Sequence, residues 1–551
     1  MNLKKYFFYT PDKADTAKEF TLEKGRHITN NSKNSYIENN IKDKETYTYQ
    51  TGKVSKIEAE NLEFVKYAFS VPKNFDFVIR EFKINISGKS KDGFLIFYDG
   101  LVNGDYINRD ILNPLMTADL KCSGESVEDA VYNHLITQAP LDKKQEMRDI
   151  IEMVEFGNCA VFIDGSESAF VADVKGWSGR DVGKPITEAV LSGPQEAFNE
   201  KIMTNIGLIR KILKDANLVA EKISVGKSSK TPCALMYING ITNRSLVAEV
   251  RKRLNGTELE YVFSSADIEM MIEDSTLFPL PQIVKTERPD RAASFLADGK
   301  VIVIVQGSPF VLVLPGTAPD LIEASEDNYV RVAEANFMRI VRIFGIFLAL
   351  FLPAGFNAAA LYHHETLPTD LLFAIEASRE QMPFPLTLEL VIMIFAFELI
   401  KEASIRIPDP IGSTLGIVGG LILGQAAVSA GIASPMLIII VSIAGLGAFA
   451  VPSLSLSRAI SGLQLVFVFL AAIGGFLGIS LGIYLGTIYL AAQSSVGVPY
   501  LSPIAPARGV FKSSLFIKPI WKRERRPDNL NTQKRKKQPH ISRKWKFGNK
   551  S

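Results

Sequence analysis

Side chains able to bind a metal, attack a carbonyl or shuttle a proton are few and scattered in this 551-residue chain. The five histidines are His27, His134, His363, His364 and His540, and no two of Cys122, Cys159 and Cys233 lie within four residues of each other. That spacing gives neither a disulfide framework nor a C-x-x-C redox or zinc site, and the cysteines read as buried reduced thiols. His363-His364-Glu365 has the residue types of a zinc site. Adjacent residues on a helix diverge by about 100°, however, and no further His or Cys is near, so a solvated loop is expected. Neither G-x-x-x-x-G-K-[ST] nor G-x-G-x-x-G nor G-x-S-x-G nor H-E-x-x-H occurs. No catalytic, cofactor or metal residue is assigned, and an enzyme is not expected.

Acids and amides in apolar surroundings are the other candidates. Glu389, Glu398 and Gln425 lie in or beside weakly charged stretches, where polar groups mark contacts with water, ions or one another. Glu389 and Glu398 are nine residues apart, which puts them on opposite faces of one helix. Two glycine ladders accompany them: Gly412, Gly416, Gly420 and Gly424, then Gly474, Gly478, Gly482 and Gly486. Four-residue spacing keeps each row on one slowly drifting face that another helix backbone can approach closely. Such a face suits subunit packing, the lining of a pore or packing within one subunit, and spacing leaves all three open.

These residues must be positioned by membrane helices. Residues 340–507 hold five basic and eight acidic residues, and the windows 411–457 and 459–507 hold no charge. Roughly 20 apolar residues cross the hydrocarbon of a bilayer. An all-α polytopic transmembrane domain of four to six segments is expected over 325–507, with Arg331, Arg339 and Arg342 at the cytoplasmic end of its first span. The tail 508–551 carries 15 Lys/Arg against Glu524 and Asp528, so it is expected in the cytoplasm. It is read as meeting anionic lipid, at about 1 kcal/mol per charge, rather than nucleic acid. Two cytoplasmic ends require an even number of crossings. The preferred interfacial or re-entrant segment is Pro383–Ile400, which carries both glutamates; the other solution is that the run 462–492 folds back.

The rest reads as soluble. A net charge of +3, 47% hydrophobic residues and a mean hydropathy of +0.12 exclude a mainly disordered chain. Residues 1–60 are polar and read as a disordered arm. After them an α/β (or α+β) region of two subdomains is expected, over 61–175 and 176–324. A linker helix with a stripe of Ile202, Ile206, Ile209 and Leu213 opens the second. Phe94–Asn103 aligns with Ala234–Asn243 at an offset of 140, and Cys159–Ser166 with Ile302–Ser308 at 142, which suggests tandem units. The start of the chain lacks the 7–15 apolar residues of a signal peptide, so this region is expected in the cytoplasm.

Several segments together resemble one family, the A subunits of the spore germinant receptors, or GerA family. In the soluble region they are Lys175-Gly-Trp-Ser-Gly-Arg180, Glu188-Ala-Val-Leu-Ser-Gly-Pro-Gln-Glu-Ala-Phe198, Phe278-Pro-Leu-Pro-Gln282, Thr286-Glu-Arg-Pro-Asp-Arg291 and Gly307-Ser-Pro-Phe310. In the membrane part they include Pro383-Phe-Pro385, Gly424-Gln-Ala-Ala-Val428 and Gly497-Val-Pro-Tyr-Leu-Ser-Pro503. The resemblance implies a multi-pass protein of the inner spore membrane that works with a transporter-like B subunit and a C lipoprotein. It also implies self-association into a germinant-gated cation channel that triggers germination. The alternatives are a non-conducting scaffold that recruits germination partners, and the related accessory protein of the dipicolinate-release machinery.

Overall fold

The computed structural model describes residues 22, 52–86, 89–117, 119–120, 127–176, 183–380, 382–406, 424–506 and 516–539. Gly412, Gly416, Gly420, Cys122 and all of the arm before residue 52 except Leu22 lie outside the described residues, as do 507–515 and 540–551 of the tail. Residues 52–60 belong to the fold rather than to an arm. Val54 is buried and donates to the Gln145 carbonyl, and helix α1 (Glu58–Ala68) begins there.

Two sheets form the N-terminal α/β region. The first contains β1 (Phe77–Ile86), β2 (Lys89–Tyr98), β3 (Asp119–Leu120), β4 (Leu141–Lys144), β5 (Asn158–Ile163) and β6 (Ala169–Asp173), in the order β3-β1-β2-β5-β6-β4. Helix α2 (Met147–Glu155) precedes β5. The second contains β7 (Leu218–Val225), β8 (Thr231–Ile238), β9 (Val284–Thr286), β10 (Val301–Val305) and β11 (Val311–Leu314), in the order β7-β8-β10-β11-β9. Its helices are α3 (Ile202–Ile212), α4 (Arg244–Asn255), α5 (Ser265–Ile272) and α6 (Pro289–Ala297). Strand alternation explains the unbroken apolar run of β10. Ile302 and Ile304 face α3 and α6, whereas Val301, Val303 and Val305 face α4 and α5, so both sides need apolar side chains.

The aligned residues occupy equivalent places in the two sheets. Asn103 after β2 and Asn243 after β8 each cap a helix by accepting from the N–H two residues on. Gly157 and Gly299, which lead into β5 and β10, have φ of +96° and +95°. Cys159 and Cys233 are buried free thiols, and burial pushes the Cys233 thiol up to about 12.

The C-terminal part is a helical bundle of α7 (Val332–Tyr362), α8 (Thr369–Arg379), α9 (Leu386–Arg406), α10 (Pro435–Phe449) and α11 (Leu454–Ala492). By length and composition α7 and α11 are each able to cross a membrane. The long apolar run of α11 is not straight. Gly475, with φ +57° and ψ −140°, breaks it into two arms that run back along each other. A Cβ at Gly482 would lie 2.9 Å from Phe467 Cε1, although fifteen residues of continuous helix would separate the two by about 22 Å.

This reversal folds the run 462–492 back on itself. Pro383–Ile400 lies mostly in α9, which runs parallel to α10: Glu389 meets Ser434 at the start of both helices, and Lys401 lies over the Phe449 ring at the end of both. The Ser434 N–H gives the buried Glu389 carboxylate a donor inside the bundle. The fold-back is at Gly475. Tyr362, at the far end of α7, donates to the Ala472 carbonyl at the hairpin tip, and the second arm returns to the second sheet.

Candidate functional site

Four of the family-like segments, Glu188–Phe198, Thr286–Arg291, Phe278–Gln282 and Gly497–Pro503, converge where the second sheet meets the base of α7. Residues 187–194 form a strap across this junction. Glu287 holds it from below, its Oε1 accepting from the Thr187 N–H (2.5 Å), the Thr187 hydroxyl (2.8 Å) and the Glu188 N–H (2.8 Å). Arg288, fully buried, donates to the carbonyls of Glu188 (3.2 Å) and Pro194 (2.9 Å) and pairs with Asp290. Glu188 accepts from the Thr286 hydroxyl and pairs with Arg291. Thr286–Arg291 and Glu188–Phe198 are thus two halves of one clasp.

From the clasp, contacts run into α7. Arg291 donates to the carbonyls of Asp320 and Glu323, both at 2.9 Å. Tyr329 donates to Asp290, and its ring packs under the strap at Gly193. Asp327 receives Arg339 Nε at 3.0 Å and Arg342 at 2.8 Å, and Glu323 receives Arg339 at 3.1 Å. Arg339 and Arg342 are three apart on α7, so one carboxylate reaches both.

The opposite end of the clasp reaches the first sheet through α3. Arg210, 3% exposed, makes a two-pronged pair with Asp76 (2.5 and 2.8 Å), donates to Asn74, and stacks 4.0 Å from the Tyr98 ring. Gly207 of α3 sits directly on the Gly100 carbonyl, a contact that leaves no room for a side chain. The other family-like pair also meets here. The hairpin of β12 (Ser494–Ser495) and β13 (Val498–Pro499) docks on Pro281–Gln282 through Ser495 and Tyr500.

The residues singled out by spacing lie elsewhere. Glu389 is buried on Ser434, whereas Glu398 faces outward beside Lys401 at 2.9 Å, so the two do occupy different faces. Gln425 is exposed. Gly424 is buried with Ile438 at its back. In the second ladder, Gly478 and Gly482 pack on Leu470 and Phe467 of the same hairpin, while Gly474 and Gly486 have nothing against them among the described residues. His363 stacks on Phe476 at the hairpin tip. The junction residues Asp327, Glu188 and Arg210 were missed, because their partners lie 12 to 134 residues away; the i,i+3 arginines of α7 were the available signal.

The basic tail is not a free arm over its described length. Ile517 and Asn336 exchange two hydrogen bonds, Arg523 reaches Asn328, and Leu530, Thr532 and Arg526 are buried against the second sheet's helices and loops. Its described lysines, Lys518, Lys522, Lys534, Lys536 and Lys537, are exposed.

Comparison with known proteins agrees with these segments. The family model described as Bacillus/Clostridium GerA spore germination protein matches residues 64–529. Spore germination protein KA of Bacillus subtilis (strain 168) is 36% identical over 472 residues, covering 84% of this chain and 85% of that protein. Spore germination protein A1 of the same organism is 40% identical over 353 residues, covering 64% and 73%. Among solved structures, the N-terminal domain of the A subunit of the Bacillus megaterium spore germinant receptor GerK3 matches at 28% identity and a TM-score of 0.37, covering 48% of this chain and 96% of that one. The chain belongs to the GerA family of spore germination proteins.

Proposed function

We propose that this chain is the A subunit of a nutrient-germinant receptor, that it oligomerises in the inner spore membrane beside B and C subunits, and that the oligomer is a germinant-gated cation channel. The observation that carries this reading is the continuous chain of buried contacts from Asp76 and Arg210 through the clasp to Asp327 and α7. A module tied this rigidly to the first leg of an apolar bundle transmits a change in its own shape as a movement of that leg. The outward side chains of the bundle, such as Ile473, Leu477 and Leu446, are large and apolar, which supports a lipid or subunit environment.

Arg406 and Ser434 belong to opposite ends of the bundle, so with α7, α9, α10 and the two arms of α11 the chain makes six crossings. The N-terminal region and the tail then share the cytoplasmic side, where the tail's exposed lysines face anionic lipid. Gly474 and Gly486, open among the described residues of one copy, suit contact with a second. The full-length chain reconstituted with its B and C partners in liposomes releases potassium when nutrient is added. A chain that is monomeric in detergent and passes no ions with its partners would leave the non-conducting scaffold as the reading.

A further inference from the structure

A cavity of about 490 Å³ lies between α6, the base of α7 and the tail segment that closes over them, a size within the range of small-molecule sites. Two buried donors in its wall have no hydrogen-bond partner among the described residues: Nε of Arg291 and the hydroxyl of Ser325, on residues 8% and 7% exposed. The remaining nitrogens of Arg291 are held by Glu188 and by the Asp320 and Glu323 carbonyls, so the guanidinium is fixed in place. Buried donors of this kind regularly find an acceptor. Lys and Arg outnumber Asp and Glu eight to five along the wall, and the tail contributes Lys518, Lys522 and Arg525.

We propose that this cavity binds a phosphate-bearing anion, with Arg291 and Ser325 donating from the inner wall and Lys518, Lys522 and Arg525 supplying charge from the tail. Donors come from three separate segments, which suits the several oxygens of a phosphoryl group better than the two of a carboxylate. Two sources share this chemistry. One is free phosphate. The other is a phospholipid headgroup, because the same wall includes Arg339, at the start of the apolar length of α7. A bound anion ties the tail to the coupling junction. The site does not rest on the channel reading; only its lipid source depends on membrane placement.

The test uses the full-length protein in dodecyl maltoside and reads the thermal unfolding midpoint. Inorganic phosphate is titrated against chloride at matched ionic strength, and mixed micelles with phosphatidylglycerol are compared with micelles holding diacylglycerol, which lacks the phosphate. The midpoint rises with at least one phosphate probe. Ser325→Ala weakens the apparent affinity about tenfold, as expected for a lost hydrogen bond to a charged group, and Lys518→Gln with Lys522→Gln weakens it further. Each variant's midpoint in chloride reports its folding, and Lys227→Gln, far from the cavity, keeps the wild-type response. A response to free phosphate alone identifies the soluble source, and a response to phosphatidylglycerol alone identifies the lipid. The proposal is overturned if neither probe shifts the wild type, or if the shift survives in both the Ser325 and the lysine variants.

Discussion

Asp327→Asn is the sharpest perturbation of the coupling junction. The Asp327 side chain is 1% exposed and is shared by Arg339, 6% exposed, and Arg342, 12% exposed. Arg339 retains Glu323 at 3.1 Å, whereas the ion pair of Arg342 among the described residues is with Asp327. Removing one partner of a buried pair costs about 3–5 kcal/mol. The carboxamide keeps one acceptor, and Arg342 recovers some water, so about 2–4 kcal/mol of local stability is expected to go. Hydrogen exchange of the amides from 323 to 345 in the full-length protein reads this opening directly, without requiring two-state unfolding of a membrane protein. The decisive version is a double-mutant cycle with Arg342→Gln. Once Asp327 is neutral, the second change should cost little, giving a coupling energy of about 1–3 kcal/mol. Losses that add to within about 0.5 kcal/mol would refute the shared-acceptor geometry. In reconstituted receptors, the same variant should bind nutrient and release potassium poorly.

Three further outcomes follow from the geometry. Gly193→Ala should loosen the strap by about 1–3 kcal/mol, seen as faster exchange over 187–194, because φ is +138° and a Cβ would lie 2.8 Å from the Tyr329 ring. Gly478→Val should abolish a monodisperse fold by driving its side chain into the Leu470 backbone, whereas Gly486→Val should fold and lower only the oligomer mass in detergent, measured by light scattering. Burial, with Asp215 nearby, pushes Glu155 up to about 7. Between its unfolded value near 4.3 and that figure, the folded state binds more protons than the unfolded one. Its contribution is therefore fully present below about pH 4.3 and is lost as pH rises through 7, by up to about 3 kcal/mol, and Glu155→Gln should flatten the pH profile of the unfolding midpoint.

The strands were legible because burial on both faces leaves no alternative to an apolar run, as in Val301–Val305. The tandem correspondence was legible for a local reason as well, since an Asn cap or a left-handed glycine is demanded by the few residues around it. Contacts across long separations were not. Nothing in the sequence near Arg210 points to Asp76, 134 residues earlier, and Asp327 is one acid among several before α7. The second glycine ladder does not form one face for a physical reason: a four-residue repeat defines a face only if the helix is straight. The adjacent pair Gly474-Gly475 inside that ladder was the sign of a break, because paired glycines remove both the side-chain support and the steric bar to positive φ.

That break also changes which residues carry the topological argument. Arg339 and Arg342 count as positive charges at the start of the first span, but Asp327 and Glu323 pair with them within the same chain, so their contribution to orientation is smaller than a count of basic residues implies. The hairpin at Gly475 does not depend on charge at all. It returns Ala492 to the end of the bundle where Val332 begins, and Ser495 and Tyr500 then fasten that end to Gln282 and Pro281. Asn336, bonded twice to Ile517, brings the tail to the same place. The N-terminal region and the described tail therefore share one side of the bundle whichever compartment that is. The basic tail is held there by hydrogen bonds and burial on its own chain, and its exposed lysines add to that placement rather than cause it.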